Sequence, residues 1–191
     1  MTIFILVLSY LIGSIPFALV IGKGIYKVDI REHGSGNLGG TNAMRTLGKK
    51  PGSFVMLGDA LKGTLAASLP LIFGSDLHPI WAAVPVILGH CYPIFAGFRG
   101  GKAVATTAGT ILFLLPVGFL IGIISFLISL KISKYVSLSS VVSGIAILFY
   151  SFTVDIYTQI FTLLITLFII YKHRENFKRI KAKTEPKVTW I

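Results

Sequence analysis

The chain has 191 residues, of which 54% are hydrophobic and 13% charged, and its mean hydropathy is +0.82. This composition is too apolar for a soluble domain and predicts an integral membrane protein. The single cysteine, Cys91, excludes an internal disulfide framework, and no cysteines and histidines have the spacing of a zinc site, so no metal is predicted. The net charge of +11 would suit nucleic acid, but no soluble domain could carry a basic face. We therefore expect no nucleic-acid partner and interpret the charges as membrane topology.

Apolar segments bounded by charges, glycines or prolines follow one another along the chain. They occupy about residues 2–22, 53–73, 79–97, 103–130, 136–151 and 156–171. The first has no basic residue before Lys23, unlike a secretory signal peptide, and is expected to remain as a membrane helix that Pro16 interrupts. Basic residues cluster after it, so the positive-inside rule places that loop in the cytoplasm and the N-terminus outside.

The segment at 103–130 is too long for one crossing. A helix of this length would span roughly 42 Å, against a hydrocarbon core of about 30 Å. A hairpin at Pro116-Val117-Gly118 would divide it, giving seven crossings and a cytoplasmic C-terminus. The expected fold is therefore all-α, a single domain over residues 1–191 with seven transmembrane helices. The alternative, one tilted helix, would place the basic C-terminal tail outside, against the rule.

Residues 34–45 form a polar stretch that apolar packing does not explain. It contains four glycines and three neutral donors, namely Gly34, Gly36, Gly39 and Gly40, with Ser35, Asn37 and Asn42. Glycines allow backbone N–H groups to point at one place, and Thr41 would cap a short helix whose positive end faces that place. Arg45 adds a planar fork suited to phosphate or carboxylate. The stretch therefore predicts an anion site; a flexible linker is the alternative, but a linker has no need of Arg45 and two asparagines.

Asp59 and Lys62 lie three residues apart on the second predicted helix, so their side chains can face each other. We expect them one to two turns inside its cytoplasmic end. An ionisable pair at that depth is costly unless it lines a polar cavity, which makes it a functional candidate. A mutually satisfied structural pair is the alternative.

Two further polar stretches follow. Arg99-Gly100-Gly101-Lys102 combines bare amides, a helix N-terminus and two cations, which predicts a second anion site, although such a turn is often merely interfacial. The nearby His90 is expected to serve structure rather than catalysis. In the third stretch, residues 172–180, a continuing helix would put His173 and Asn176 on one face and pair Glu175 with Arg179. A basic cluster at lipid head groups would explain its lysines but neither His173 nor Asn176.

Two anion sites, fixed cations and a candidate base predict chemistry on a phosphorylated small molecule beside a lipid chain. Over almost its whole length, the chain resembles the bacterial acyl-phosphate:glycerol-3-phosphate acyltransferase family (PlsY). The family's GSGNPGATN-Arg motif is matched at 34–45, with Leu38 for proline and Gly40 for alanine. Other matches are Gly89, His90, Pro93, Phe95, Gly100, Gly101, Lys102 and Thr106; His173, Arg174, Glu175 and Asn176; Asp59, Lys62 and Gly63; and Gly13-Ser14-Ile15-Pro16. The family's Gly-Thr-Glu corresponds to Lys183-Thr184-Glu185.

The resemblance implies transfer of a fatty acyl group from acyl phosphate to the 1-hydroxyl of glycerol 3-phosphate, in the bacterial inner (plasma) membrane with the active site facing the cytoplasm. The implied partners are acyl phosphate, glycerol 3-phosphate and membrane lipid. Ser35, Arg45, His173 and Asn176 would be catalytic, and Glu185 structural. The residues expected to bind substrate are Gly34, Gly36, Asn37, Gly39, Gly40, Thr41, Asn42, Lys62, Gly100, Gly101, Lys102 and Thr106. Because acyl phosphate is already activated, direct attack suffices and no cofactor is expected.

The sequence leaves several alternatives open. Either His173 or the substrate's own phosphate could accept the hydroxyl proton. A transporter for an organic phosphate is the second function considered, disfavoured because the polar stretches gather at one face and no half of the chain is repeated. A structural protein whose basic loops bind lipid heads is the third. Acyl-chain preference and oligomeric state are not predicted.

Overall fold

The computed structural model describes residues 1–189, and every regular element in that part of the chain is helical. The all-α expectation is therefore confirmed for these residues. The longer helices are α1 (Thr2–Gly13), α4 (Lys49–Ile72), α5 (Ile80–Cys91), α6 (Val104–Leu114), α7 (Pro116–Ser133), α8 (Val136–Ser151) and α9 (Ile156–Lys172). Shorter helices are α2 (Phe17–Leu19), α3 (Gly40–Leu47) and α10 (Arg174–Lys181).

Three helical stretches in the described part of the chain are long and apolar enough to cross a membrane. They are Thr2–Ile25, Lys49–Ile72 and Pro116–Ser133. Helices α9 and α10 would form a fourth span, bent by 52° where they join. Helices α5, α6 and α8 are apolar but shorter than a full crossing. The chain thus has three to four candidate spans, and seven crossings remain a prediction.

The first span is interrupted where the sequence predicts. Helix α1 ends at Gly13, and the chain passes Pro16 before α2 and a π-helical turn over Val20–Ile25. A Cβ on Gly13 would collide with the backbone of Val86 on α5. Small residues therefore bring α1 and α5 into backbone contact, as is common between membrane helices.

Helix α4 packs closely on α6. A Cβ on Gly63 would meet the carbonyl oxygen of Thr106, and the Thr64 hydroxyl donates to the carbonyl of Gly109 at 2.9 Å. Helix α4 begins at Lys49, before the apolar run at 53–73. Pro51 does not prevent this early start, because a proline in the first turn of a helix costs no hydrogen bond. Asp59 therefore lies nearly three turns from the helix start, deeper than the one to two turns expected.

The apolar segment at 103–130 is two helices rather than one. Helix α6 ends at Leu114 and α7 begins at Pro116, so the break falls beside the expected hairpin position. The chain forms two compact units that meet in sequence at this point, the first spanning Met1–Leu114 and the second beginning at Leu115. The expectation of one domain over residues 1–191 remains a prediction.

Hydroxyl groups link the helices of the second unit. Ser143 of α8 donates to the carbonyl of Gly122 on α7 at 2.8 Å, and Thr166 of α9 donates to the carbonyl of Gly144 at 3.2 Å. Each hydroxyl thus reaches a partner helix at a glycine, where the absence of a side chain exposes the backbone.

Candidate active site

Asn42 fixes the shape of the polar stretch at residues 34–45, which is called the first loop below. It is 2% exposed, its Nδ2 donates to the carbonyls of Ile30 (3.0 Å) and His33 (3.1 Å), and its Oδ1 accepts the Ser35 N–H at 2.9 Å. An amide carries two N–H bonds, and both are used here. The expectation that Asn42 offers a donor to an anion is therefore corrected, because its side chain holds the loop together instead.

The short helix in this stretch begins two residues earlier than expected. Gly39 is the N-cap of α3 and Gly40 its first residue, so Thr41 lies inside the helix and does not cap it. A Cβ on Gly40 would collide with the Met56 side chain, so this glycine allows α3 to pack on α4.

The remaining residues of the first loop divide into turn formers and exposed polar groups. Gly34 and Gly36 have φ of +58° and +67°, a left-handed conformation that favours glycine. Ser35 and Arg45 are exposed, and Asn37 is half-buried. Exposed groups around a glycine turn suit a ligand that arrives from water.

Asp29 gathers the basic residues that precede this loop, a role the sequence reasoning missed. It accepts from Arg31 at 2.7 Å and from Lys23 at 2.8 Å, and its side chain also caps the turn at Ile30–Glu32. The bond from Arg31 holds the pKa of the Asp29 carboxyl well below its usual range, and the bond from Lys23 acts in the same direction. Its position among basic residues was the available signal.

A small polar pocket lies where the first loop meets the stretch Arg99-Gly100-Gly101-Lys102, which is called the second loop below. Leu38 contributes to its lining from the first loop and Gly100 from the second, and its empty volume is about 170 Å³, part of it open to solvent. Leu38 also packs in one cluster with Ala96, which precedes the second loop. The structure therefore brings the first two sequence motifs together. The full lining is Gly13, Ile15, Pro16, Leu38, Asp59, Lys62, His90, Pro93 and Gly100.

Three buried charged or polar side chains line this pocket. Lys62 Nζ lies 2.7 Å from Asp59 Oδ1 and donates to the carbonyl of Ile15 at 2.9 Å, which confirms that the pair face each other. His90 Nδ1 lies 3.3 Å from the same carboxylate oxygen. The sequence reasoning did not connect His90 to this pair, because the residues are distant along the chain and only helix packing unites them.

The glycines of the second loop rest on His90. Gly101 N–H donates to the His90 carbonyl at 3.1 Å, and a Cβ on Gly101 would collide with Nε2 of the ring. A Cβ on Gly100 would meet the His90 carbonyl oxygen. Lys102 is half-buried, and Thr106 is fully buried with Oγ1 3.1 Å from His90 Nδ1. Both glycines are thus required by contact with His90, whatever the loop binds.

The third motif, in the second unit, does not lie on a continuous helix. Helix α9 ends at Lys172, His173 occupies the joint, and α10 begins at Arg174. His173 Nδ1 lies 2.8 Å from the carbonyl of Ile169. A carbonyl can only accept, so Nδ1 carries the hydrogen and Nε2 of the neutral ring is the acceptor nitrogen.

Glu185 organises the remainder of this motif. Its Oε1 accepts from Asn176 Nδ2 at 2.6 Å and its Oε2 accepts from Arg179 Nε at 2.7 Å. The expected pair of Glu175 with Arg179 is therefore wrong, since the buried carboxylate takes Arg179. Glu175 is bonded by Lys178 at 3.0 Å instead.

The turn before Glu185 has Lys183 where the family's motif has glycine. Lys183 has φ of +59°, and Thr184 N–H donates to the Arg179 carbonyl at 2.8 Å. A lysine thus accepts a backbone conformation that glycine adopts more easily. Within residues 1–189, no group of three or more His, Cys, Asp or Glu could hold a metal ion.

Comparison with solved structures places this fold. The crystal structure of PlsY (YgiH), an integral membrane glycerol 3-phosphate acyltransferase, in its glycerol 3-phosphate form matches with a TM-score of 0.92 and 36% identity, covering 98% of this chain and 96% of that chain. Its lysophosphatidic acid form matches with a TM-score of 0.89 and 35% identity, covering 98% and 95%. The fold therefore defines a helical integral membrane protein.

Sequence relatives give the family. The glycerol-3-phosphate acyltransferase family model matches residues 3–183. Glycerol-3-phosphate acyltransferase of Geobacillus kaustophilus is 55% identical, covering 100% of this chain and 98% of the relative. That of Bacillus subtilis is also 55% identical, covering 98% and 97%. The chain belongs to the glycerol-3-phosphate acyltransferase family, which confirms the resemblance drawn from the motifs.

Proposed function

We propose that this chain transfers a fatty acyl group from acyl phosphate to the 1-hydroxyl of glycerol 3-phosphate, giving 1-acylglycerol 3-phosphate and phosphate, the first step of phospholipid synthesis. The observation that carries the proposal is the pocket where the first and second loops meet, in a chain with glycerol-3-phosphate acyltransferase relatives over its full length. Two crystal structures of PlsY with this fold are its glycerol 3-phosphate and lysophosphatidic acid forms, an acceptor and a product of such a reaction.

The reaction needs one nucleophilic attack and no covalent intermediate on the enzyme. The hydroxyl oxygen of glycerol 3-phosphate attacks the carbonyl carbon of acyl phosphate, the bond from that carbon to the phosphate oxygen breaks, and the hydroxyl proton passes to a base. Phosphate is a good leaving group, so the protein's task is to position two anions, stabilise the oxyanion and accept the proton.

Named side chains fit each task. Arg45 and Lys102 would hold phosphate groups together with the N–H groups of the glycine loops. Ser35 and Asn176 would donate to the oxyanion. His173 would accept the proton, a role supported by the acceptor character of Nε2 that its Nδ1 bond to Ile169 imposes.

The surrounding residues would shape the two binding sites. Those of the first loop are Gly34, Gly36, Asn37, Gly39, Gly40, Thr41 and Asn42. Gly100 and Gly101 would hold the phosphate of glycerol 3-phosphate, Lys62 would line the pocket beneath them, and Glu185 would be structural.

The proposed setting is the bacterial inner (plasma) membrane, with seven crossings, the N-terminus outside, and the active site and C-terminus facing the cytoplasm. Support comes from the break at Leu115, which divides the long apolar segment. A cytoplasmic site would give glycerol 3-phosphate access from water.

An assay of phosphate release tests the function. Purified enzyme in bilayers should release phosphate from palmitoyl phosphate only when glycerol 3-phosphate is added, with equimolar 1-acylglycerol 3-phosphate. Acyl transfer from an acyl thioester, with none from palmitoyl phosphate, would overturn the proposed donor. Glycerol 3-phosphate uptake into vesicles without acyl transfer would instead indicate a transporter.

A further inference from the structure

His90 packs directly against the backbone of the second loop. Its carbonyl accepts the Gly101 N–H at 3.1 Å, and its ring occupies the space where a Cβ of Gly101 would stand. The same carbonyl leaves no room for a Cβ on Gly100. The path of the Gly100-Gly101 backbone therefore depends on where His90 lies.

Two buried side chains hold the ring of His90. Nδ1 lies 3.3 Å from Asp59 Oδ1 and 3.1 Å from Thr106 Oγ1, and none of the three residues is more than 6% exposed. An ionised carboxylate only accepts, so Nδ1 carries a hydrogen directed at Asp59. These contacts define the orientation of the ring.

Asp59 is itself fixed by Lys62, which also donates to the Ile15 carbonyl at the break in the first span. The charges of Asp59 and Lys62 oppose each other at 2.7 Å. The pair therefore adds little net charge to the pocket, and its contribution is geometric. A buried pair of this kind holds its neighbours in one arrangement, since breaking it would leave a charge without compensation.

We propose that Asp59, His90 and Thr106 are positioning residues for glycerol 3-phosphate, acting through the backbone of Gly100-Gly101 and not by touching the substrate. The proposal rests on the proposed function, because it takes this loop to hold the acceptor's phosphate. Backbone N–H groups stabilise an anion only when they point at its oxygens, and because the Gly101 N–H bonds the His90 carbonyl, other N–H groups of the loop would face the phosphate. A displaced loop should therefore weaken binding of glycerol 3-phosphate and leave binding of the acyl donor unchanged.

Thr106→Val gives the sharpest test, because it removes the hydroxyl that contacts His90 and keeps the branched shape. Thr110→Val is the matched control. Thr110 is equally buried one turn further along α6, but its hydroxyl donates to the Thr107 carbonyl at 2.8 Å within its own helix.

We expect Thr106→Val to raise the KM for glycerol 3-phosphate about three- to tenfold, the effect of one net hydrogen bond. The KM for acyl phosphate and the yield of folded protein should stay within about twofold of the parent in both variants. An unchanged KM for glycerol 3-phosphate, a parallel rise of both KM values, or the same change in Thr110→Val would overturn the proposal.

A double-mutant cycle adds a second readout. Asp59→Asn and Thr106→Val both act through His90, so the KM for glycerol 3-phosphate in the double variant should not exceed that of the more severe single variant. If the two increases in this KM multiply in the double variant, Asp59 and Thr106 act independently, which would overturn the proposal. If Asp59→Asn fails to fold, Thr106→Val decides alone. Failure of the parent enzyme to use acyl phosphate would refute the proposed function, whereas normal turnover with an unaffected Thr106→Val would refute only this inference.

Discussion

Asn176 Nδ2 donates to Glu185 Oε1 at 2.6 Å, and both residues are buried. The same carboxylate holds Arg179 at 2.7 Å, so one charged group sets the orientation of an amide and of a guanidinium. A residue nine positions beyond Asn176 thus fixes the orientation of its amide. Glu185 connects the turn after α10 to a proposed catalytic side chain.

Glu185→Gln should therefore lower both stability and turnover. The variant keeps the shape but loses the charged acceptor, at a cost of about 2 kcal/mol in the free energy of unfolding. Thermal unfolding and kcat would be measured beside Glu175→Gln, an exposed carboxylate on α10 that should leave both unchanged. Equal behaviour of the two variants would contradict a structural role for Glu185.

Arg45→Lys should lose most activity and leave the protein folded, because an ammonium keeps the charge but not the planar fork. We expect kcat/KM to fall by at least about tenfold. Arg31→Lys is the control, since Lys23 still holds Asp29 in that variant. Near-normal turnover of Arg45→Lys would mean that Arg45 serves only membrane topology.

Gly101→Ala should raise the KM for glycerol 3-phosphate more than that for acyl phosphate. The sequence suggests that a Cβ would block approach to the anion, but the structure points that Cβ at the His90 ring. The expected cause is therefore displacement of His90 and of the loop above it. Gly24→Ala, where a Cβ meets no atom within 4 Å, should be neutral. The opposite KM selectivity would mean that this loop binds the acyl donor.

The topology prediction depends on the break at Leu115. In a Cys91→Ala background, a cysteine at Val117 should react with a membrane-impermeant thiol reagent from outside, and one at Ser133 should not. Both positions lie on α7, near its opposite ends. Labelling at position 133 but not at 117 would exclude the seven-crossing arrangement.

His173→Gln should lower kcat by about 10²–10⁴-fold, since glutamine keeps a polar side chain but cannot take the proton. A base must be unprotonated to act, so kcat of the parent should fall as the pH is lowered. If His173 is the base, the pH at which kcat falls should stay the same when a phosphonate with a higher second pKa replaces glycerol 3-phosphate. If that pH instead rises with the phosphonate, the substrate's own phosphate accepts the proton.

The family and the helical class could be predicted from sequence because they depend on local composition and short motifs. The break at Pro116 follows from the effect of proline on a helix, and the contact of Asp59 with Lys62 follows from their spacing of three residues. Both rules act within a few residues. The bonds of Asn176 and Arg179 to Glu185 could not be predicted in this way, because Glu185 lies beyond the end of α10, outside the helical period. The contacts of His90 with Asp59 and Thr106 could not be predicted either, because the partners come from other helices, where periodicity gives no pairing.

The close contacts of α4 with α6 reverse the usual distribution of mutational sensitivity. Gly63 has no space for a single methyl group, yet its neighbours Leu61 and Leu65 are 58% and 48% exposed. In a lipid-facing position, one large alkyl side chain can replace another with little effect, because the bilayer is a fluid partner that adapts to its shape. Among residues 61, 63 and 65, sequence drift should therefore run through the two leucines and spare the glycine.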